Sequence, residues 1–282
     1  MSMFDPLSLA CILGLCLALL ALWNNRAKII REAQDTLQTQ FDIIQQQKTT
    51  LSLLENDLGV ANAEILEKTY MVDEERIKAD EVLMSVLPSS VVYRIKAGED
   101  PIADEYAKAG ILIVDIHAFS TITQRYSVQE SVQMLNWLFS LYDEVVERYG
   151  LDKLKTVGDT YIITSGIPNQ ETYSPRTLAL CALDLRTVSE KFLAVAGTDV
   201  QLRMGLDVGA VMAGVIGKHK FSYDIWGPTV NTAQRLQAEC IPTQIHCSKQ
   251  AHTLLSHEFD LKEADASASS PETTYYLLQR KQ

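Results

Sequence analysis

The sequence lacks an excess of basic residues. Its 282 residues include 25 lysines and arginines against 36 aspartates and glutamates, which gives a formal net charge of -11 at pH 7. A nucleic-acid interface needs a concentrated basic surface, because it must neutralise many backbone phosphates at once. The composition therefore predicts no nucleic-acid partner, and a small anionic ligand would need local positive charge or metal ions.

Paired cysteines are also lacking. The five cysteines are Cys11, Cys16, Cys181, Cys240 and Cys247. Two of them lie in an apolar run and the other three are scattered, so their spacing fits neither a zinc site nor a disulfide framework. We interpret all five as buried thiols in a reducing compartment.

Charge is missing from the apolar run Leu7 to Trp23, which has roughly the length that crosses the hydrocarbon core of a bilayer. Basic residues follow the run, beginning at Arg26, whereas only the acidic Asp5 precedes it. This asymmetry predicts a cytoplasmic location for the rest of the chain. A cleaved signal peptide would instead carry its basic residues before the run and a small-residue cleavage site after it. We therefore favour an uncleaved single-pass anchor over residues 1–25, in the cell (inner) membrane.

Proline is missing from the next segment, residues 26–87, and glycine is almost missing. One heptad column is apolar at every step: Ile30, Leu37, Ile44, Leu51, Leu58, Ile65, Val72, Ala79 and Val86. The companion column is half polar, with Gln40, Gln47, Lys68 and Glu75 among its members. The pattern predicts a parallel two-stranded coiled coil of modest stability, and hence a homodimer. The alternative is a single amphipathic helix that lies on another surface.

Pro88 and Pro101 punctuate the end of this helical region, and we assign residues 88–109 to a linker. Beyond it, the hydrophobic periods predict strands at 111–116, 151–156, 160–165, 200–206 and 211–216, with helices at 128–149 and 175–196. The order β-α-β-β-α-β predicts an α+β, ferredoxin-like domain over residues 110–282, with its helices packed on one face of an antiparallel sheet.

Two aspartates stand where strands end. Asp115 follows a buried apolar strand, and Asp159 lies in a Val-Gly-Asp turn between two β-rich runs. Taken singly, Asp115 is typical of a capping residue at the end of a strand, and Asp159 is typical of a hairpin turn. If the strands are neighbours, both carboxylates reach one edge and can hold hard cations that leave positions open for phosphates. The loop 117–120 adds backbone N–H groups at a helix start, at Phe119 and Ser120, where phosphate can bind.

A third window, FSYDIWGPTVNTAQRL, carries an asparagine and an arginine on one predicted helix. Asn231 and Arg235 are four residues apart, so they share a face of the helix that begins near Thr229. Asparagine can orient a ribose, and arginine can neutralise charge that develops on a transferring phosphoryl group. A solvated polar face is the alternative interpretation for these two residues alone.

Four segments, VDIHAFS, LKTVGDTYIITSG, LRMGLDVGAVMAGVIG and YDIWGPTVNTAQRL, occur in this order. Together they resemble the catalytic domain of the class III nucleotidyl cyclases, most of all the adenylyl cyclases, over about Asp104 to Leu278. The preceding VLPSSVVYRIKAGEDPIADEYA is similar to the helix and linker that join such domains to upstream sensors. The resemblance implies an adenylyl cyclase that converts ATP to 3',5'-cyclic AMP and pyrophosphate with two Mg2+ or Mn2+ ions per site, and the apolar run at residues 7–23 makes it a membrane-anchored one. A membrane sensor is implied as a partner.

The resemblance also assigns residues by position. It implies that Asp115 and Asp159 bind the metal ions together with the backbone of Ile116. It implies that Lys155 and Asp224 recognise adenine, the lysine as donor to a ring nitrogen and the aspartate as acceptor from the exocyclic amine. Guanylyl cyclases of this family carry glutamate at the lysine position, because guanine presents the opposite pattern.

The remaining assignments concern the ribose, the phosphates and the dimer. Asn231 and Arg235 match residues that orient the ribose and stabilise the transition state, and Arg203 resembles an arginine near the phosphates. Family members act as dimers in which the metal-binding aspartates of one subunit face the adenine readers of the other. Lys155 and Asp159 should be about 10 Å apart along the hairpin, which is compatible with service in opposite sites.

The sequence departs from the family pattern in two places. Ala118 stands where the family usually has glycine, and residues 265–270 replace a Lys-Gly-Lys-Gly-like turn whose lysine contacts the triphosphate. Lys262 and Lys218 are the candidates to replace that lysine. The alternatives to an adenylyl cyclase are a catalytically weak or inactive nucleotide-binding signalling scaffold and a guanylyl cyclase.

Overall fold

The computed structural model describes residues 6–196, 201–217, 219–264 and 273–281. The chain divides into two compact units, Met1–Asp80 and Glu81–Gln282. Nearly all of the first unit belongs to one helix, α1 (Pro6–Met84), whose apolar N-terminal part is long enough to cross a membrane. Large apolar side chains are exposed along this part, among them Leu17 and Trp23. Cys11 and Cys16 are exposed there too, so the expectation of buried thiols is correct only for the other three cysteines.

The second unit is an α+β domain. In chain order it contains α2 (Ser89–Lys96), β1 (Ala103–His117), α3 (Phe119–Thr123), α4 (Val128–Arg148), β2 (Asp152–Val157), β3 (Thr160–Ser165), α5 (Pro175–Ala196), β4 (Gln201–Ile216), β5 (Ser222–Trp226), α6 (Pro228–Glu239), β6 (Ile245–Cys247), α7 (Lys249–Leu255), β7 (Phe259–Glu263) and β8 (Tyr275–Arg280). The predicted βαββαβ order is confirmed by β1, α4, β2, β3, α5 and β4.

The strands form one mixed sheet in the order β2-β3-β1-β4-β6-β8-β7, with β5 paired to the end of β4. β1 is antiparallel to both β3 and β4, whereas β4 and β6 run parallel. The two strand runs predicted at 200–206 and 211–216 are one continuous strand. The residues between them keep pairing with β1, for example Gly209 with Ala109 and Asp207 with Ile111.

Both faces of the sheet are covered. Leu112 and Val114 of β1 pack in a core with residues of α4 and α5. Their odd-numbered neighbours Ile111 and Ile113 pack in a second core with residues of α2 and α6. The two helices of the βαββαβ unit, α4 and α5, therefore share one face as predicted, whereas α2 and α6, which lie outside that unit, cover the other. The continuous apolar run of β1 is typical of a strand that is buried on both sides.

Candidate active site

Asp115 lies near the end of β1, opposite Thr160 of β3 and Arg203 of β4 in the strand register. Asp115 is only 7% exposed. Oδ2 accepts hydrogen bonds from Arg203, at 2.6 Å from Nη2 and 3.2 Å from Nε. Oδ1 accepts one from Thr160 Oγ1 at 3.1 Å. A polar group this deeply buried is costly without hydrogen-bond partners, so both contacts offset part of the cost of its burial.

Asp159 lies in the turn between β2 and β3, directly before Thr160. Gly158 makes this turn with φ of 62°, a conformation that favours glycine. Burial raises the pKa of the Asp159 carboxyl, the negative charge of Asp115 raises that pKa further, and the positive charge of Arg203 opposes both. Because β1 and β3 are neighbours, the charge of Asp115 is near enough to affect the Asp159 carboxyl.

The oxygen donors here suit a hard divalent cation. Two carboxylates and a backbone carbonyl at Ile116 would leave several coordination positions for water or phosphate oxygens, which is how Mg2+ is commonly held beside nucleotides. Over the residues that the structure describes, no group of three or more His, Cys, Asp or Glu side chains forms a ready-made metal cage. A cation held by these residues would need its remaining ligands from water or from a phosphate-bearing molecule.

The loop after Asp115 turns sharply. Ala118 has φ of 57°, in the left-handed region that favours glycine, so this alanine keeps a backbone conformation that costs an L-residue about 1 kcal/mol or more. The turn lets the chain pass directly from β1 into α3. Phe119 begins α3 and packs against the core beneath α4 and α5. Ser120 is the next residue of the helix, and its side chain lies outside the described part of the structure.

Lys155 and Asp224 form an ion pair across two strands. Nζ of Lys155 on β2 lies 2.6 Å from Oδ2 of Asp224 on β5. The two side chains are 31% and 27% exposed. The other oxygen of Asp224 accepts the N–H of Ile225 at 2.8 Å, which fixes the carboxylate on the strand. A donor and an acceptor therefore stand side by side at the wall of a cavity of about 470 Å³.

That cavity extends to α6 and towards Asp115. Asn231 of α6 and Thr160, the partner of Asp115, line it together with Lys155 and Asp224. Arg235 lines a neighbouring cavity of about 850 Å³, and its Nη1 lies 3.3 Å from Glu239 Oε2. A single chain thus brings Asn231, but not Arg235, to the wall of the cavity that holds the Lys155 and Asp224 pair.

Helix α6 reaches this position because Gly205 of β4 has no side chain. A Cβ added at Gly205 would lie 2.1 Å from the carbonyl oxygen of Ala233 and 2.5 Å from the amide nitrogen of Gln237. These distances are far below van der Waals contact, so the helix backbone rests directly on the strand. The close approach sets the height of Asn231 and Arg235 above the sheet.

The remaining predicted residues are placed as follows. Arg203 forms an ion pair with Asp115. Lys262 is exposed in β7, whereas Lys218 and the segment 265–270 lie outside the described residues. Sequence reasoning missed the hydroxyl of Thr160, because its contact with Asp115 depends on the register of β1 and β3. The only available signal was its position directly after Asp159.

Comparison with known proteins matches the same region. The family model described as the Adenylate and Guanylate cyclase catalytic domain matches residues 102–279. An adenylate cyclase of Mycobacterium tuberculosis is 34% identical over 215 residues, which are 75% of this chain and 48% of that protein. The guanylate cyclase soluble subunit beta-2 of Rattus norvegicus is 29% identical over 84% of this chain and 33% of its own length.

A solved structure is similar over the same domain. The catalytic core of a rhodopsin-guanylyl cyclase with converted specificity, in complex with ATPalphaS, superposes with a TM-score of 0.58 at 30% identity. The match covers 63% of this chain and 98% of that one. The chain spans about half the length of the mycobacterial relative and a third of the rat one, at 48% and 33%.

Proposed function

Because the chain belongs to the family of adenylate and guanylate cyclase catalytic domains, we propose that it converts ATP to 3',5'-cyclic AMP and pyrophosphate. The observation that carries the choice of ATP is the ion pair of Lys155 and Asp224, 2.6 Å apart at the cavity wall. Adenine presents a ring-nitrogen acceptor beside an amino donor, and this pair supplies the complementary donor and acceptor. Guanine presents a ring N–H beside a carbonyl oxygen, which would leave the lysine and the carboxylate mismatched.

The chain's residues bind and orient the nucleotide. On ATP binding, the Lys155 ammonium donates to the adenine ring nitrogen and Asp224 accepts from the exocyclic amine. Asn231, at the wall of the same cavity, orients the ribose. The N–H groups of Phe119 and Ser120, with Arg203, receive the phosphates. Arg235 neutralises charge as it develops on the phosphoryl group.

The reaction is an in-line displacement within one nucleotide. The ribose 3'-oxygen forms a bond to the α-phosphorus, the bond from that phosphorus to the bridging oxygen breaks, pyrophosphate leaves, and the hydroxyl proton passes to solvent. Asp115, Asp159 and the carbonyl of Ile116 would hold two divalent cations, Mg2+ or Mn2+. When bound, these cations supply Lewis acidity at the attacking and leaving oxygens.

A homodimer would complete the sites. Val157 and Trp226, which line the Lys155 and Asp224 cavity, are 55% and 36% exposed. Met212, Ile216 and Phe221, in or next to the adjoining hairpin of β4 and β5, are 54%, 57% and 45% exposed. Such a cluster is typical of a surface that another protein covers. We assign it to a second copy of the chain, whose Asp115 and Asp159 would face the adenine readers of the first. Each dimer then has two sites.

The N-terminal unit would anchor and align this dimer. The exposed apolar part of α1 would cross the cell (inner) membrane once, with the catalytic domain in the cytoplasm. The heptad column after it would pair with its counterpart as a parallel coiled coil over residues 26–87. The linker at residues 88–109 would pass changes in this pairing to the catalytic domain, in response to a membrane partner.

Product analysis tests the proposal. The full chain, purified in detergent, is incubated with ATP or GTP in the presence of Mn2+, and the products are identified by mass spectrometry. The Asp159→Asn variant, prepared identically, controls for contaminating cyclases. We expect cyclic AMP from the wild type and almost none from the variant. Cyclic GMP as the main product would indicate a guanylyl cyclase, and no product despite nucleotide binding would indicate a signalling scaffold.

A further inference from the structure

The two oxygens of the Asp115 carboxylate have chemically different partners. Oδ2 accepts from the cationic guanidinium of Arg203, at 2.6 Å and 3.2 Å. Oδ1 accepts from the neutral hydroxyl of Thr160 at 3.1 Å. With a donor at each oxygen, the torsion of this nearly buried carboxylate is held from both sides.

A bound cation affects the two partners of Asp115 differently. A divalent cation repels the guanidinium of Arg203, so the two compete for the carboxylate. The Thr160 hydroxyl carries no net charge, and an oxygen has a second lone pair, so this hydrogen bond can persist while Asp115 binds a cation. Thr160 is therefore suited to hold the carboxylate in place before and after cation binding.

The backbone makes Thr160 a firm support. It begins β3, where it pairs with Asp115 of β1 and with Val157 of β2. The peptide bond on its N-terminal side joins it to Asp159. One residue thus fixes the position of both carboxylates, one through its side chain and the other through the chain itself.

We propose that Thr160 is a positioning residue whose hydroxyl sets the divalent-cation affinity of the Asp115 and Asp159 site. The inference rests on the proposed function only in taking these aspartates as cation ligands. Partners of ligating carboxylates typically affect metal affinity by about 10- to 100-fold when they are removed. Valine has nearly the shape of threonine and lacks the hydroxyl, so Thr160→Val removes the hydrogen bond with little change in volume.

The test measures Mn2+ binding to the full chain in detergent without nucleotide, from the electron paramagnetic resonance signal of free Mn2+. We expect Thr160→Val to bind Mn2+ about tenfold more weakly than the wild type, and Thr160→Ser, which keeps the hydroxyl, to bind within about threefold of it. The matched control is Thr156→Val, at an exposed threonine of the neighbouring strand β2, which should leave binding unchanged.

Each other result overturns the inference. Equal binding by Thr160→Val and the wild type would show that the hydroxyl does not matter. Equal loss in Thr160→Val and Thr160→Ser would indicate a role in packing, and a wild type that does not bind Mn2+ would remove the site itself. The product assay separates this inference from the proposed function: cyclic AMP synthesis with unaltered Mn2+ binding by Thr160→Val refutes the inference alone.

Discussion

At the scale of single residues, the proposed preference for adenine over guanine rests on the ion pair of Lys155 and Asp224. The sequence placed both residues in segments that resemble adenine readers, and the structure brings them to 2.6 Å. The pairing of Arg203 with Asp115 was not predictable, because it depends on which residues of β1 and β4 stand opposite each other. Periodicity identifies strands, but the register of a long sheet is fixed by contacts far apart in the sequence.

Exchange of the two readers should change the preferred base. Lys155→Glu combined with Asp224→Cys replaces a donor by an acceptor and removes the carboxylate, so the ratio of ATP to GTP turnover should fall by at least about tenfold. The measurement is kcat/KM for both nucleotides with Mn2+. Lys153→Glu is the matched control, because Lys153 lies on the same strand and binds Asp143 instead, with Nζ 2.8 Å from Oδ1. An unchanged ratio in the double variant would refute the assignment of the adenine readers.

At the scale of secondary-structure elements, the seating of α6 on β4 determines where Asn231 and Arg235 stand. The sequence predicted that this helix begins near Thr229, one residue from the observed start of α6 at Pro228. It did not predict that the helix covers the second face of the sheet. That outcome depends on Gly205, whose missing side chain lets the helix backbone approach, and a glycine inside a strand does not reveal by itself what approaches it.

A methyl group at this contact should lift the helix. Gly205→Ala should lower the free energy of unfolding by about 1 to 3 kcal/mol and reduce turnover, since Ala233 and Gln237 meet the new Cβ with backbone atoms. Gly110→Ala is the control, because its added Cβ would meet first the end of the Leu178 side chain, 2.8 Å away, which can rotate. Urea unfolding measures the stability of the two variants, and product formation measures their turnover. The explanation fails if the two variants lose equal stability and equal activity.

At the scale of the whole molecule, the sequence predicted α1 better than it predicted the sheet. A long interval without proline and with an unbroken heptad column indicates a helix from local pattern alone, and the observed helix runs from Pro6 to Met84. Local pattern was not enough to predict the sheet. β4 joins two runs that were predicted as separate strands, and it pairs in parallel with β6 through contacts that no local pattern encodes. The pairing of α1 with a second copy as a coiled coil stays a prediction.

The phase of the α1 heptads should govern activity. Insertion of seven residues after Leu58 keeps the apolar seam in register, whereas insertion of three or four rotates the seam downstream of the insertion. We expect the first variant to keep most of its cyclase activity and the other two to change it several-fold. Activity assays on the three variants in membranes measure this. If all three are equally active, α1 only tethers the catalytic domain.

We expect two copies of the chain to build each site, with the aspartates of one copy facing the adenine readers and Arg235 of the other. Asp159→Ala and Arg235→Ala should each abolish most activity, because one loses a cation ligand and the other a charge that stabilises the transition state. In a heterodimer of the two variants, one site gathers both defects and the other is intact.

Mixing the two inactive variants tests whether the sites are shared between subunits. Complete and random subunit exchange, verified by differently tagged copies, makes half of the dimers heterodimers with one working site each. Cyclic AMP synthesis should then recover to about a quarter of the wild-type rate. If exchange is demonstrated and the mixture remains as inactive as its components, neither chain completes the site of its partner. The sites are then not shared between subunits.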